Sequence, residues 1–164
     1  MGLKDLFNKE DKRQFAELIR PYCMTEPVQR LRQFPHHKKI NRYDHALLVS
    51  YISFTLARRW CWDAQAAARA GLLHDLFFTE CDNTWKLCMT HPETAAENAG
   101  RLVKDLSSKE RNIILSHMWP AGRHLPRSRE AWLVDMVDNF VTILDMTDRS
   151  PKWSCKLNAV MGAL

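Results

Sequence analysis

The chain is predicted to fold as an all-α single domain, a bundle of six to seven helices. Three observations predict it. Hydrophobic residues make up 46% of the composition while only five of 164 residues are glycine, apolar positions recur at helical spacing, and Val/Ile runs with strand alternation are absent. The length suffices for one domain with a real core and is short for two. No internal repeat or low-complexity tract is visible.

The elements follow in order. An amphipathic helix over about residues 9–20 is stopped by Pro21. Thr25 can cap a short helix from Glu26, with Pro27 tolerated in its first turn, ending near Pro35. The run HHKKINR reads as a polar connector. A long helix from about Tyr43 to Trp60 places His45, Leu48, Val49, Ile52 and Leu56 on one stripe. Asp63 caps a helix over about 64–78 whose last turn carries His74-Asp75, and 79–89 reads as a loop with room for a short turn of helix. Thr90-His91-Pro92-Glu93 has the form of a capping box, so His91 is expected to start a helix running to about Lys104. Ser107 and Glu110 form a second box, for a helix ending near Met118. After a Pro/Gly-containing loop, Trp132, Leu133, Met136, Val137, Phe140, Val141 and Leu144 predict a last helix from Glu130 to about Asp148.

Composition narrows the function classes. No apolar run is long enough to span a bilayer, and MGLKDLFNKEDKR is too charged for the core of a signal peptide. Leu6 stands where a myristoylation signal wants Ser or Thr. The expectation is a cytoplasmic protein without a membrane partner. Five cysteines with no C-x-x-C pair are expected to be reduced and mostly structural. A net charge of +5 favours anionic partners such as small phosphorylated molecules. Nucleic acid is disfavoured, because no basic run or basic stripe interleaved with aromatics is present.

The chemistry centres on the doublet His74-Asp75, set in the apolar run AAARAGLLHDLFF. An isolated ionised carboxylate is costly to bury, and a divalent cation is the usual compensation. His45, His91, His117 and Asp138 come from separate helical segments on either side, as ligands do in a helical bundle. Imidazole and carboxylate together suit Fe, Mn, Co, Ni or Zn better than Ca or Mg. One or two such divalent transition-metal ions are expected. Asp75 has two oxygens and can touch two cations at once. A pair of metals ~3.5–4 Å apart can hold a hydroxide between them and clamp a phosphoryl group for in-line attack. No P-loop, G-x-S-x-G, H-E-x-x-H or Rossmann fingerprint competes. Asp135 rivals Asp138, because the two share a helix face.

The ordered set His45, His74-Asp75, His91, His117, Asp138 resembles the H…HD…H…H…D pattern of HD-domain metal-dependent phosphohydrolases. The flanks NRYDHALLVS, AGLLHDLF, HPETAAENA and LVDMVDNF agree, so the likeness covers roughly residues 36–148. In the binuclear branch the resemblance implies that His45, His74, Asp75 and Asp138 hold one metal. His91 and His117 hold a second, with Asp75 bridging and also acting, with His74, in catalysis. It also decides for Asp138 over Asp135. His117 is followed by MWPAGRHLP, so the hallmark of cyclic-di-GMP phosphodiesterases is missing, and Asn139 stands where the family often has Lys.

Arg42 lies one helical turn before His45, in reach of a substrate phosphate that a bidentate guanidinium suits. A solvated helix-start arginine is the ordinary alternative. His36, His37 and His124 are expected to face solvent, as are Lys38, Lys39, Arg123, Arg127 and Arg129. Ala70 and Gly71 read as packing devices that let a neighbouring helix come close. The function expected is hydrolysis of a phosphate ester or anhydride of a nucleotide or similar small molecule. Two alternatives stand beside it: a non-catalytic HD binding or signalling domain, and a di-iron oxygenase related to myo-inositol oxygenase, which uses the same ligand order. The complete ligand set argues against the first of these.

Overall fold

The structure is a computed structural model that describes residues 8–37, 40–79, 84–146 and 151–162. Among them are helices α1 (Lys9–Cys23), α2 (Glu26–Arg30, prolonged by a 3-10 turn Leu31–Gln33), α3 (Arg42–Arg59), α4 (Ala64–Leu73), α5 (Thr84–Leu102), α6 (Ser108–Ser116), α7 (Arg129–Met146) and α8 (Pro151–Gly162). Between α2 and α3 lies a small antiparallel hairpin, β1 (Pro35–His37) and β2 (Ile40–Asn41), pairing Pro35 with Asn41 and His37 with Ile40. The fold is the expected all-α bundle. Its described helices number eight, because α8 joins those read from the sequence by packing Leu157 and Met161 against the α1/α3 side.

Several helix starts follow one rule. Asn8, Asn41, Asp63 and Ser107 each accept the backbone N–H three residues on, at 2.7, 2.8, 3.0 and 3.2 Å, a cap worth about 1 kcal/mol each. At Ser107 the box is complete, since the Glu110 carboxylate returns to the Ser107 N–H at 2.8 Å. That same carboxylate pairs with buried Arg69 of α4 at 3.0 Å, which ties the start of α6 to α4.

Helix α3 is the axis of the bundle. It is buried on nearly all sides, not along one stripe, with α4, α7, α8 and α1 packed around it. The tightest approach is to α4. A methyl group added at Gly71 would meet the Ser50 backbone at 3.0 Å, and Ser50 donates its hydroxyl to the Ala68 carbonyl at 2.6 Å. The small residues expected to admit a neighbour do so here.

Other elements differ from the sequence reading. Pro21 does not stop α1, which continues to Cys23. The carbonyl deprived of a donor is that of exposed Glu17, where water can serve it, while Ile19 and Cys23 are fully buried. The expected helix over 64–78 ends at Leu73, so the doublet lies just beyond it. His91 does not open a helix: α5 begins at Thr84 and carries Pro92 inside, held by buried Ala95, Ala96 and Ala99. Of the expected loop 79–89, residues 80–83 lie outside the described residues. The HHKKINR connector forms part of the β1–β2 hairpin, with Lys38 and Lys39 outside the described residues, as is the His37 side chain. Helix α7 ends at Met146, and the expected extension to Asp148 also lies outside. On α7, Leu133, Val137, Val141 and Leu144 face the core, whereas Trp132, Met136 and Phe140 stand exposed.

Among the described residues Cys23, Cys61 and Cys155 are free thiols, and burial pushes that of Cys23 up to about 12. No described helix is long and apolar enough to cross a membrane.

Two predictions test this packing. Gly71→Ala adds helix propensity but drives a methyl into backbone that cannot yield without parting α3 from α4. It is expected to destabilise by about 1 kcal/mol or more, whereas Gly100→Ala, with nothing nearer than the Arg111 side-chain end at 4.0 Å, should stabilise by about 0.5–1 kcal/mol. Urea unfolding of both variants checks the opposite signs. Helix α3 closes with Trp62 N–H on the Ala57 carbonyl at 2.8 Å and Cys61 N–H on Arg58 at 3.1 Å, with Cys61 left-handed at φ 54°. Cys61→Gly relieves that conformation and is expected to raise stability by up to ~1 kcal/mol; an unchanged or lower unfolding midpoint contradicts this.

Candidate metal centre

Three helix ends deliver the imidazoles and carboxylates to one point. His45 sits in the first turn of α3, at 0% exposure. His74 and His117 occupy the residue just past α4 and α6, and both cap in the same way. The Nδ1–H of His74 donates to the Gly71 carbonyl at 2.8 Å, and that of His117 to the Ile114 carbonyl at 2.7 Å. Each cap satisfies a carbonyl that the helix end leaves over, and turns the ring's Nε2 inward. Both helices also direct the negative end of their dipoles at the site, which favours a cation there. His91 enters from the middle of α5, Asp138 and Asp145 from α7, and His36 from β1.

Asp75 stands at the centre, 5% exposed. Its Oδ1 lies 3.4 Å from Nε2 of His91 and 3.7 Å from Nε2 of His117. Its Oδ2 lies 3.7 Å from Nε2 of His74 and 3.6 Å from Nε2 of His36. Asp138 Oδ1 is 2.8 Å from Nε2 of His45 and 3.6 Å from Nε2 of His74. Three overlapping sets could hold a metal: His36/His45/Asp75, His45/His74/Asp138 and His74/Asp75/His117.

The donors fit a transition-metal ion. Buried Nε2 of His74 makes no hydrogen bond of normal length and faces Asp138 at 3.6 Å and Asp75 at 3.7 Å, a position where a proton or a cation shared with those carboxylates would satisfy it. Nε2 of His117 is a lone pair, because its Nδ1 carries the proton, and it lies 2.8 Å from Nε2 of His91. Imidazole with carboxylate is the ligand chemistry of Fe, Mn, Co, Ni or Zn.

Charge within the pocket is shared. Burial opposes a charge on His45, but hydrogen bonds to Asp138 and Asp145 overcome it and raise its pKa to about 10. His74 is also raised: burial works against it, and Asp75 and Asp138 override. Burial would push Asp75 and Asp138 up, yet the facing imidazoles hold both carboxylates below their usual range. His117 is pushed down to about 3, by burial first and then by His74 and His91. The sequence alone leaves Asp75 uncompensated without a metal. In the folded pocket the imidazoles compensate it instead.

The sequence-derived set His45, His74, Asp75, His91, His117 and Asp138 is thus brought together. Asp135 is not in it: burial and then Asp138 push it up to about 7, and it accepts from the Trp119 backbone. Arg42 is buried, donates to the Phe77 carbonyl at 2.6 Å and lies over the Phe77 ring at 3.7 Å. The Phe77 ring in turn packs on His91 at 4.9 Å. These contacts grip the segment just after the doublet. His124 is partly exposed and pairs with Glu93 at 3.1 Å. Arg123, Arg127 and Arg129 are exposed as expected.

Two residues of the site were missed. His36, expected to face solvent, is half-buried against His45, because the hairpin folds back over the start of α3. Asp145 is fully buried and accepts from Nδ1 of His45 at 2.8 Å. Its spacing of seven from Asp138, two helical turns on one face, was the available signal. No family model matches the chain, and neither a curated protein nor a solved structure matches it.

The pocket makes a pH prediction for metal-free protein. His45 has an ordinary value of 6.5 and a folded value of about 10, so its contribution is complete below pH 6.5 and is lost as pH rises toward 10. His117 acts oppositely: kept neutral down to about 3, it costs stability as pH falls below 6.5. Asp135, raised from 3.8 to about 7, works against His117 over the same acid range, so the clear expectation is on the alkaline side: chelator-treated protein should melt lower as pH rises from 6.5 toward 10. A melting temperature climbing steadily from there to pH 9 would show that His45 holds no extra proton.

Proposed function

We propose that the chain is a metal-dependent phosphohydrolase of the HD type. Its substrate in this reading is a phosphate ester or anhydride of a nucleotide or similar small phosphorylated molecule. One observation carries it: the two oxygens of Asp75 face different imidazole sets, Oδ1 toward His91 and His117, Oδ2 toward His74. That division suits a carboxylate shared by two cations. His45, His74, Asp75 and Asp138 would hold one, and His91, His117 and Asp75 the other. When bound, such cations supply an activated water and neutralise charge on a phosphoryl oxygen.

The chain's own groups prepare this site. The Gly71 and Ile114 carbonyls keep the Nδ1 protons of His74 and His117, so that Nε2 is the nitrogen each would offer a cation. Burial of all six ligands keeps bulk water from their charges. Arg42, through Phe77, steadies the segment that follows Asp75. Asn139, where the HD family often has Lys, donates to the Asp135 carbonyl at 2.8 Å and contributes no cation to a substrate. The net charge of +5 favours an anionic substrate.

Elemental analysis of purified protein, joined to a phosphate-release screen over nucleotides, dinucleoside polyphosphates and sugar phosphates with Mn or Co, tests the reading. Release that chelator abolishes is expected. Oxygen uptake by iron-loaded protein without phosphate release would instead indicate an oxygenase, and neither activity a binding domain. Asp75→Asn removes the shared anion and leaves an amide that bridges poorly, so turnover should fall by orders of magnitude. His91→Ala or His117→Ala should lower metal content toward one per chain with the circular dichroism unchanged. Near-normal turnover in the first variant, or full metal content in the others, counts against a two-cation centre.

A further inference from the structure

The rings of His36 and His45 are stacked, with centroids 3.7 Å apart and 21° between their planes. Stacked in this way they present their nitrogens in pairs. On one edge, Nδ1 of His45 lies 2.8 Å and Nδ1 of His36 3.5 Å from the same atom, Oδ2 of Asp145. On the other, Nε2 of His45 is 2.8 Å from Asp138 Oδ1 and Nε2 of His36 is 3.6 Å from Asp75 Oδ2. A carboxylate behind Nδ1 retains the proton there and leaves the Nε2 lone pair directed at the opposite side, which is how metal-ligating histidines are commonly held. Asp145 is fully buried, so its negative charge needs such donors. The Nε2 of His36 meets the oxygen of Asp75 that also faces His74, not the one facing His91 and His117.

We propose that His36 is a further ligand of the cation held by His45, His74, Asp75 and Asp138, with Asp145 orienting the His45 imidazole on which the His36 ring stacks. That position then has five protein donors, three of them imidazole, and the β1–β2 hairpin becomes part of the metal site. A site so rich in nitrogen favours Fe, Co, Ni or Zn over Mg or Ca. The inference rests on the proposed metal centre and is independent of whether the centre hydrolyses phosphate.

Cobalt titration of the metal-free full chain, followed by visible absorption and elemental analysis, tests it in wild type, His36→Ala and His36→Gln. Glutamine keeps the volume and a polar contact to Asp145 but is a poor ligand. Both variants are expected to bind one cobalt at least tenfold more weakly, with shifted visible bands, and to retain the other. His124→Ala should leave affinity and spectrum unchanged. In zinc-loaded wild type, which needs no variant, the Nε2 nitrogen resonance of His36 should move to a metal-bound position while Nδ1 keeps its proton. Wild-type cobalt affinity and spectrum in both variants, or an unmoved His36 resonance, overturns the proposal. Wild type that binds no cobalt overturns it together with the metal centre. A His36 effect in a protein that releases no phosphate leaves this proposal standing and removes only the hydrolase reading.

Discussion

A buried carboxylate surrounded by imidazoles is the constraint on which the rest of the structure depends. Asp75 carries its charge at 5% exposure, where an uncompensated carboxylate would protonate or destabilise the fold. The chain answers by converging histidines from α3, α5, β1 and the residues just past α4 and α6 on its two oxygens and on its neighbour Asp138. Such a cluster holds opposite charges without any ion. A cation taking up the same lone pairs would have to displace protons from them, so any metal binding there would release protons.

Convergence requires helices whose ends meet. Gly71 and Ser50 allow α3 and α4 to pack backbone against backbone, which brings His45 in the first turn of α3 and His74 just past α4 within 5.5 Å, centroid to centroid. The histidine caps then serve twice. By satisfying the Gly71 and Ile114 carbonyls they end α4 and α6, and by the same bond they fix which nitrogen faces Asp75. Helix termination and the orientation of the imidazole are one hydrogen bond here. That explains why the doublet lies outside its helix and not in the last turn.

The supporting layer is built from less obvious parts. Asp145 holds the His45 ring from behind, Arg42 grips the Phe77 carbonyl, and Phe77 rests on His91. Each acts on a metal-ligand candidate or on the segment that carries one. Rigid backing of this kind limits how far the donors relax in the absence of a cation.

The amino-acid sequence by itself determined the helical class, the cap at Asp63, the Ser107–Glu110 box, and the ordered histidines and aspartates. These rest on local chemistry: spacing along a helix and hydrogen bonds three residues apart. Only the tertiary structure decided what depends on distant partners. Pro21 and Pro92 sit inside helices because burial of nearby apolar side chains outweighs a missing backbone donor. Trp132, Met136 and Phe140 share apolar spacing with Leu133, Val137 and Val141, so periodicity could not tell which side of α7 faces the core. Asp138 and Asp135 are equivalent on one helix and differ only in what faces them, His45 and His74 for one and the Trp119 backbone for the other. His36 reads as a surface histidine in a polar run until the hairpin lays it on His45, since a stacking contact between separate elements leaves no trace in local sequence.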